Sequence, residues 1–348
     1  MPFRYPHKQT MALVKQDMNH WGIIDHEYTY FMKEKRRIFS DYNAKALSDH
    51  PFFKILQHDD PQVAASINDA ITEFRDFVVS HYSARYPHLF IKSKDTFYNL
   101  PMNETYDLKT MHPLEVVTRI SMEDHYIVLP LEQGHTCVAV TVAFGGGGFP
   151  IAPVVGQVLD TIHTNVPYYE SHLKKSMNKW FTKFTDPVER AAWHIVWDRD
   201  LACSEIYTKS REIGHDLQDY VKTIPYDEFL VRIDKQGLIK LEKSKAVIFN
   251  NHPVYLSLDK EIRYEPGAPS IILKVMYESP EDIIKHRHFE SFRDYLKPYL
   301  EEMIQEQVKN EVIKIDDKVK TLPNYPFAYW MNDLSNWSKE SGWTRPSA

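Results

Sequence analysis

The sequence predicts an α+β protein: an antiparallel five-stranded sheet with a helical insert, wrapped by N- and C-terminal helices. Three observations carry this. Apolar residues recur at helical spacing near both ends of the chain, the spacing changes to alternation in the middle, and the alternating segments come as two, then a helical stretch, then three. The expected division within one domain is an N-terminal helical part over 1–118, a core over 119–258, and a C-terminal helical part with its tail over 259–348.

In the first part, "DHEYTYFMKEKRRIF" reads as a short amphipathic helix and "INDAITEFRDFVVSHYSARY" as a longer one. The second places Ile67, Ile71, Phe74, Val78 and Tyr82 on one stripe and is stopped by Tyr86-Pro87. In "HTCVAVTVAF" Val138, Val140, Val142 and Phe144 form one predicted face and Cys137, Ala139, Thr141 and Ala143 the other. "DHYIVLPLEQG" before it is the expected hairpin partner, turning at "EQGH". The insert then begins with "PIAPVVGQVLDTIH", whose Ala152, Gly156, Leu159 and His163 fall on one helical stripe. Val166-Pro167 stops that helix, because proline disfavours the α conformation in the residue before it. A second helical run follows over 166–184. The remaining strands are "AAWHIVWD", "DEFLVRIDKQ" and "KAVIFNNH", and a PAS-like core has this order. The last helical region opens at Ser279-Pro280-Glu281 as cap, first-turn proline and first-turn acid. "SNWSKESGWTRPSA" reads as a loosely held tail.

Of the 348 residues 43% are hydrophobic and 13% aromatic, enough for a sizeable core. A formal charge of -6 lacks the basic footprint of a nucleic-acid binder. Cys137 and Cys203 are the only cysteines, and "MPFRYPHKQT" lacks the pattern of a secretory signal, so a reduced, cytoplasmic location is expected. "CVAVTVAF" and "SIILKVMY" fall short of the roughly 20 residues that span a bilayer. Two thiols are also too few for an iron–sulfur cluster of the chain's own.

Few motifs survive scrutiny. "FGGGGFP" lacks the Gly-Lys-Ser/Thr of a phosphate loop, and Pro150 stands where the last glycine of a dinucleotide turn would be. No pair among 17 histidines has zinc-site spacing, and His286 and His288 are expected on different sides of a helix. A single histidine acting alone is what one axial heme ligand requires, and His163 is one candidate, although histidines also end helices to complement the dipole. Glu123-Asp124 reads either as a solvated pair or as a negative site for a cationic amine. Arg190 and Arg232 sit at or within apolar strands, where a guanidinium needs an anion: a protein carboxylate or a heme propionate. No G-x-S-x-G elbow is present.

Several stretches, in order, resemble the heme-dependent oxidative N-demethylase family: Trp21 to "DHEY", "KEKRR", "ARYPHLF", "ISMEDHYIVL", "GQVLDTIHTNVPYYESHLKKSMNKWF", "DPVERAAWHI" and "FLVRIDKQGLIKLEKSKAVIF". The resemblance implies a PAS-like core holding heme b, use of O2, and electrons from NAD(P)H through a separate reductase. It makes His163 the axial iron ligand, gives Glu123 and Asp124 a catalytic role toward the amine, and places Arg190, Trp193, Arg232 and His252 at the cofactor. Ala192 stands where the family usually has Asn, the "FGGGGFPIAP" stretch lacks a tryptophan, and Asn250 to Pro253 replace the family's Ile-Arg-Thr-Tyr. The implied reaction is oxidation of a C–H bond next to nitrogen in a small amine. Alternatives are an oxygenase acting on another nitrogen-containing metabolite, such as an amino acid, and a PAS-type heme sensor without turnover.

Overall fold

The computed structural model describes residues 3–8, 10–40, 53–145, 152–183, 186–197, 201 and 217–322. The glycine-rich stretch after Gly145, Cys203 and the predicted tail lie outside the described residues.

In chain order the first elements are β1 (Val14–Lys15), α1 (Tyr28–Ser40), β2 (Phe53–Ile55) and α2 (Pro61–Arg85). Helix α2 starts earlier than the run predicted from Ile67: Asp60 accepts from the Gln62 N–H, and Pro61 fills a first-turn position that needs no donor. A small sheet of β3 (Phe90–Lys92), β4 (Thr96–Asn99) and β5 (Glu104–Asp107) follows, in a region read as helical from sequence. Then come α3 (Pro113–Ile120), β6 (Asp124–Leu131), β7 (Gly134–Thr141), α4 (Leu159–Ile162), α5 (Lys174–Lys183) and β8 (Val188–Val196). The chain continues through α6 (Leu217–Val221), β9 (Leu230–Lys240), β10 (Val247–Ser257), α7 (Ala268–Glu278), α8 (Glu281–His286) and α9 (Phe289–Lys309).

All five predicted strands form, and they occupy the centre of one antiparallel sheet in the order β1-β8-β9-β10-β6-β7-β2. The sheet therefore has seven strands rather than five, because two- and three-residue segments add at its edges. Such short edges limit pairing with other chains.

Strict alternation in β7 fails at one point. The pairing steps from Ile127–Ala139 to Val128–Cys137, which leaves Val138 as an extra residue in a bulge. Cys137 consequently joins Val140 and Val142 on one face, while Val138 and Ala139 both enter the core on the other.

One face of the sheet is covered by the insert: Val128, Leu238 and Val247 pack against Leu159, Tyr169, Leu173, Met177, Trp180 and Phe181. The opposite face carries two separate apolar clusters. Ile127, Ile239 and Ile248 pack with Phe31 and Phe74 of the N-terminal helices, whereas Trp193, Val231, Ile233 and Leu256 pack with Ile272, Leu296 and Leu300 of α7 and α9. Between them runs a polar belt. Glu189, Gly237, Asn250, His125 and Thr141 are in register across five strands, with Lys235 and His252 paired in the neighbouring row.

The insert is less helical than its stripe suggests. Gly156 is left-handed (φ +89) and separates a single 3-10 turn, Ala152–Val154, from the short α-helix Leu159–Ile162 before His163. After Val166-Pro167 a single π turn, Tyr169–Leu173, runs directly into α5. The C-terminal helical region likewise breaks at left-handed His288. Ser279 does not cap a helix there; its hydroxyl donates back to the Val275 carbonyl, and Pro280 takes the cap position.

Candidate functional site

His163 ends α4 as predicted. Its backbone N–H and its ring Nδ1 both point to the Leu159 carbonyl, Nδ1 at 2.8 Å. A carbonyl can only accept, so Nδ1 carries the proton and the Nε2 lone pair is left for another partner. Tyr169 stacks on the ring at 5.5 Å and 20°, and is itself held by Asp160 at 2.5 Å. Burial, helped by the nearby Arg190 charge, lowers the His163 pKa, which keeps the ring neutral and able to ligate.

Arg190 is the second component. It lies on the insert side of β8, close enough to His163 for their charges to interact. Its Nε is buried without a hydrogen-bond partner, and no carboxylate pairs with its guanidinium among the described residues. Burial first, and then Arg287, push its pKa down to about 10. The side chain is half-buried, and a cation in such a place is favoured by a nearby anion.

Arg232 satisfies the same need internally. It bonds Asp234 at 2.9 Å, the carbonyls of Leu201 and Phe144 at 2.7 and 3.0 Å, and the Tyr255 hydroxyl at 3.2 Å. Asp234 in turn accepts from Asn251 at 3.2 Å and stands 3.7 Å from His194. Burial and Arg287 drive His194 down to about 3, so it is neutral. Arg232 thus braces this face of the sheet with a protein carboxylate as its anion.

Glu123 and Asp124 are not solvated: they are 2% and 0% exposed. Asp124 accepts from the Ala143 and Phe144 N–H groups at 2.7 and 3.0 Å and clamps the chain leaving β7. Burial lifts its carboxyl to about 6. Glu123 accepts from Asn250 at 2.8 Å inside the polar belt, next to His125. Both carboxylates are therefore taken up by the protein itself.

Trp193 and His252 stand on the other side of the sheet from His163. Trp193 alternates with Arg190 and is stacked between Phe3 and Phe289 at 5.7 and 5.8 Å. His252 stacks on Phe31 at 5.5 Å and 8°. The structure thus brings together His163 and Arg190 on the insert face, with Arg232 on the same face, and sets Trp193 and His252 behind it. Tyr169, Asp160, Asp234 and His194 surround these residues and lie within the stretches that resemble the family, Asp234 as the acid that follows Arg232 there. Among the described residues no group of three or more His, Cys, Asp or Glu could hold a bare metal ion.

On the insert face of the sheet, then, stand an imidazole whose Nδ1 is tied to a carbonyl and a guanidinium with no carboxylate partner among the described residues. The family described as haem-dependent oxidative N-demethylase, alpha subunit-like, matches residues 12–297, and the chain belongs to it. With that it falls among heme-dependent oxidoreductases. No curated protein matches it significantly. No helix of the described residues is long and apolar enough to cross a membrane.

Proposed function

We propose that this protein is a heme-dependent monooxygenase that oxidises a C–H bond next to nitrogen in a small amine, with electrons from a separate reductase. The observation that carries this reading is Arg190: a half-buried guanidinium, its Nε buried, with no carboxylate partner among the described residues, beside a histidine whose Nδ1 is already tied to a carbonyl. His163 Nε2 would hold the iron, and Arg190 would pair with a propionate. A backbone carbonyl on the distal ring nitrogen of a ligand histidine fixes its tautomer and increases its basicity. The five central strands, with first beside last, support a PAS-like core.

Bound heme supplies the capacity to activate O2 for insertion into a C–H bond. The chain's own contribution is the neutral His163 ring, the Arg190 charge, and an insert whose Leu159, Tyr169, Leu173 and Trp180 exclude water from the sheet face. Hydroxylation beside nitrogen gives a carbinolamine, which collapses to the smaller amine and an aldehyde. Since Glu123 and Asp124 are committed internally, recognition of the substrate ammonium falls to other groups, and the two acids act by positioning the chain after β7 and the belt.

The visible spectrum tests this. Protein produced with added heme precursor should show a stoichiometric Soret band that shifts with dithionite and carbon monoxide, and His163→Ala should lose it while remaining folded. A colourless protein that takes up no added hemin would end this reading.

A further inference from the structure

Helix α5 pays for a charge pattern that its own fold does not use. Lys175, Lys179 and Lys183 follow one another at four-residue spacing, all exposed, on the side away from buried Met177, Trp180 and Phe181. Like charges at this spacing weaken a helix. Lys174 engages Glu170 of the π turn at 2.9 Å and Asp160 of α4 at 3.6 Å. The other three lysines have no carboxylate partner among the described residues. The positive surface continues across the sheet end, where Lys240 donates to the Phe181 carbonyl at 2.9 Å and lies within reach of the Lys245 charge. This is a concentrated cationic patch on a chain of net charge -6.

Its position matters. The helical segment begins at Tyr169, the ring stacked on His163, and Lys175 lies only about 9 Å further along the axis. We infer that the Lys175–Lys179–Lys183 face, with Lys240 and Lys245 at its rim, is the docking surface for an acidic electron-carrier protein. The inference rests on the proposed heme reading, because the chain has two cysteines and must receive electrons from outside. In each transfer the reduced carrier loses one electron and ferric heme becomes ferrous. Electron-transfer encounters use small, transient interfaces, and complementary charge there acts mainly on the rate of association and its salt dependence.

An acidic two-iron ferredoxin serves as the probe. Its binding to the full chain is measured by calorimetry with and without heme, and its reduction of the heme-loaded protein by stopped flow, both at rising salt. The expected result is salt-sensitive binding in either form, and reduction that slows by about tenfold in Lys175→Glu/Lys179→Glu/Lys183→Glu with its salt dependence flattened. Lys→Arg at the three positions should restore it. Equal reversal at Lys297, Lys309 and Lys318, on the α9 side, should leave it unchanged. Identical rates and binding in wild type and the α5 reversal would overturn the docking surface while leaving the heme reading intact. So would wild type that ignores ferredoxin but is held through these lysines on anionic vesicles or DNA. Absence of heme uptake with ferredoxin binding preserved would instead remove the heme reading alone.

Discussion

Gly237 and Asn250 face each other across β9 and β10, and the Asn250 amide oxygen occupies the space where any other residue at 237 would place its first side-chain carbon. Gln16 closes the same space, 2.8 Å from that position. Asn250 uses the room to accept from Trp21 Nε1 at 3.0 Å and to donate to Glu123 at 2.8 Å, which joins the N-terminal segment to the polar belt. Gly237→Ala should therefore cost about 1–3 kcal/mol of stability, as overpacking does. Urea unfolding of the heme-free protein measures it, and an unchanged midpoint would contradict the close approach.

The two arginines of the insert face should separate. Arg232 is buried in an ion pair, so Arg232→Met leaves Asp234 without its cation and should destabilise the fold by about 3–5 kcal/mol. Arg190 strands no carboxylate among the described residues, so Arg190→Gln should leave thermal unfolding of the heme-free protein nearly unchanged. Hemin titration of the same variant should show affinity weaker by about tenfold or more, the loss of a charge-assisted contact.

Acid should act through His252. Burial holds its pKa down to about 4, against an ordinary 6.5, so the folded protein binds fewer protons than the unfolded chain between those values. Stability from this group is full above pH 6.5 and is lost as pH falls toward 4, with a ceiling of roughly 3 kcal/mol. His252→Phe keeps the stack on Phe31 and cannot titrate. Denaturation curves from pH 7 to pH 4 should fall more steeply for wild type than for this variant.

Cys137 is 1% exposed, and burial pushes its thiol up to about 12. In a Cys203→Ser background, native protein at pH 8 should give no reaction with a disulfide reagent, and one thiol per chain after unfolding. Prompt native labelling would show that the bulge exposes it.

Much of this was legible in the sequence because periodicity reports which side of an element is buried. The five central strands and α2 follow from it directly. The three-stranded sheet of Phe90–Lys92, Thr96–Asn99 and Glu104–Asp107 escaped, since segments of three or four residues are too short to establish a period. At the candidate site, the place of His163 at the end of a helix was readable from the sequence. Arg190 was flagged by its apolar strand, but only coordinates separate it from Arg232, because a partner such as Asp234 is a neighbour in space whichever role the arginine plays. That Trp193 and His252 lie across the sheet from His163 is likewise not readable from a motif, because strand neighbours in sequence point to opposite faces.

The belt of Glu189, Gly237, Asn250 and His125 also sets how the molecule comes apart. Both ring nitrogens of His125, the Gln16 amide and Glu189 Oε2 are buried without a hydrogen-bond partner, with Glu123 3.7 Å from His125 and Lys235 3.5 Å from Glu189, so the seam is polar but loosely bonded. Two apolar clusters on one sheet face, parted by a polar seam, are coupled through the strands more than through each other. Amide exchange should then divide the chain into two protected groups, one of α1–α3 and one of α7–α9, each opening as its own cooperative unit.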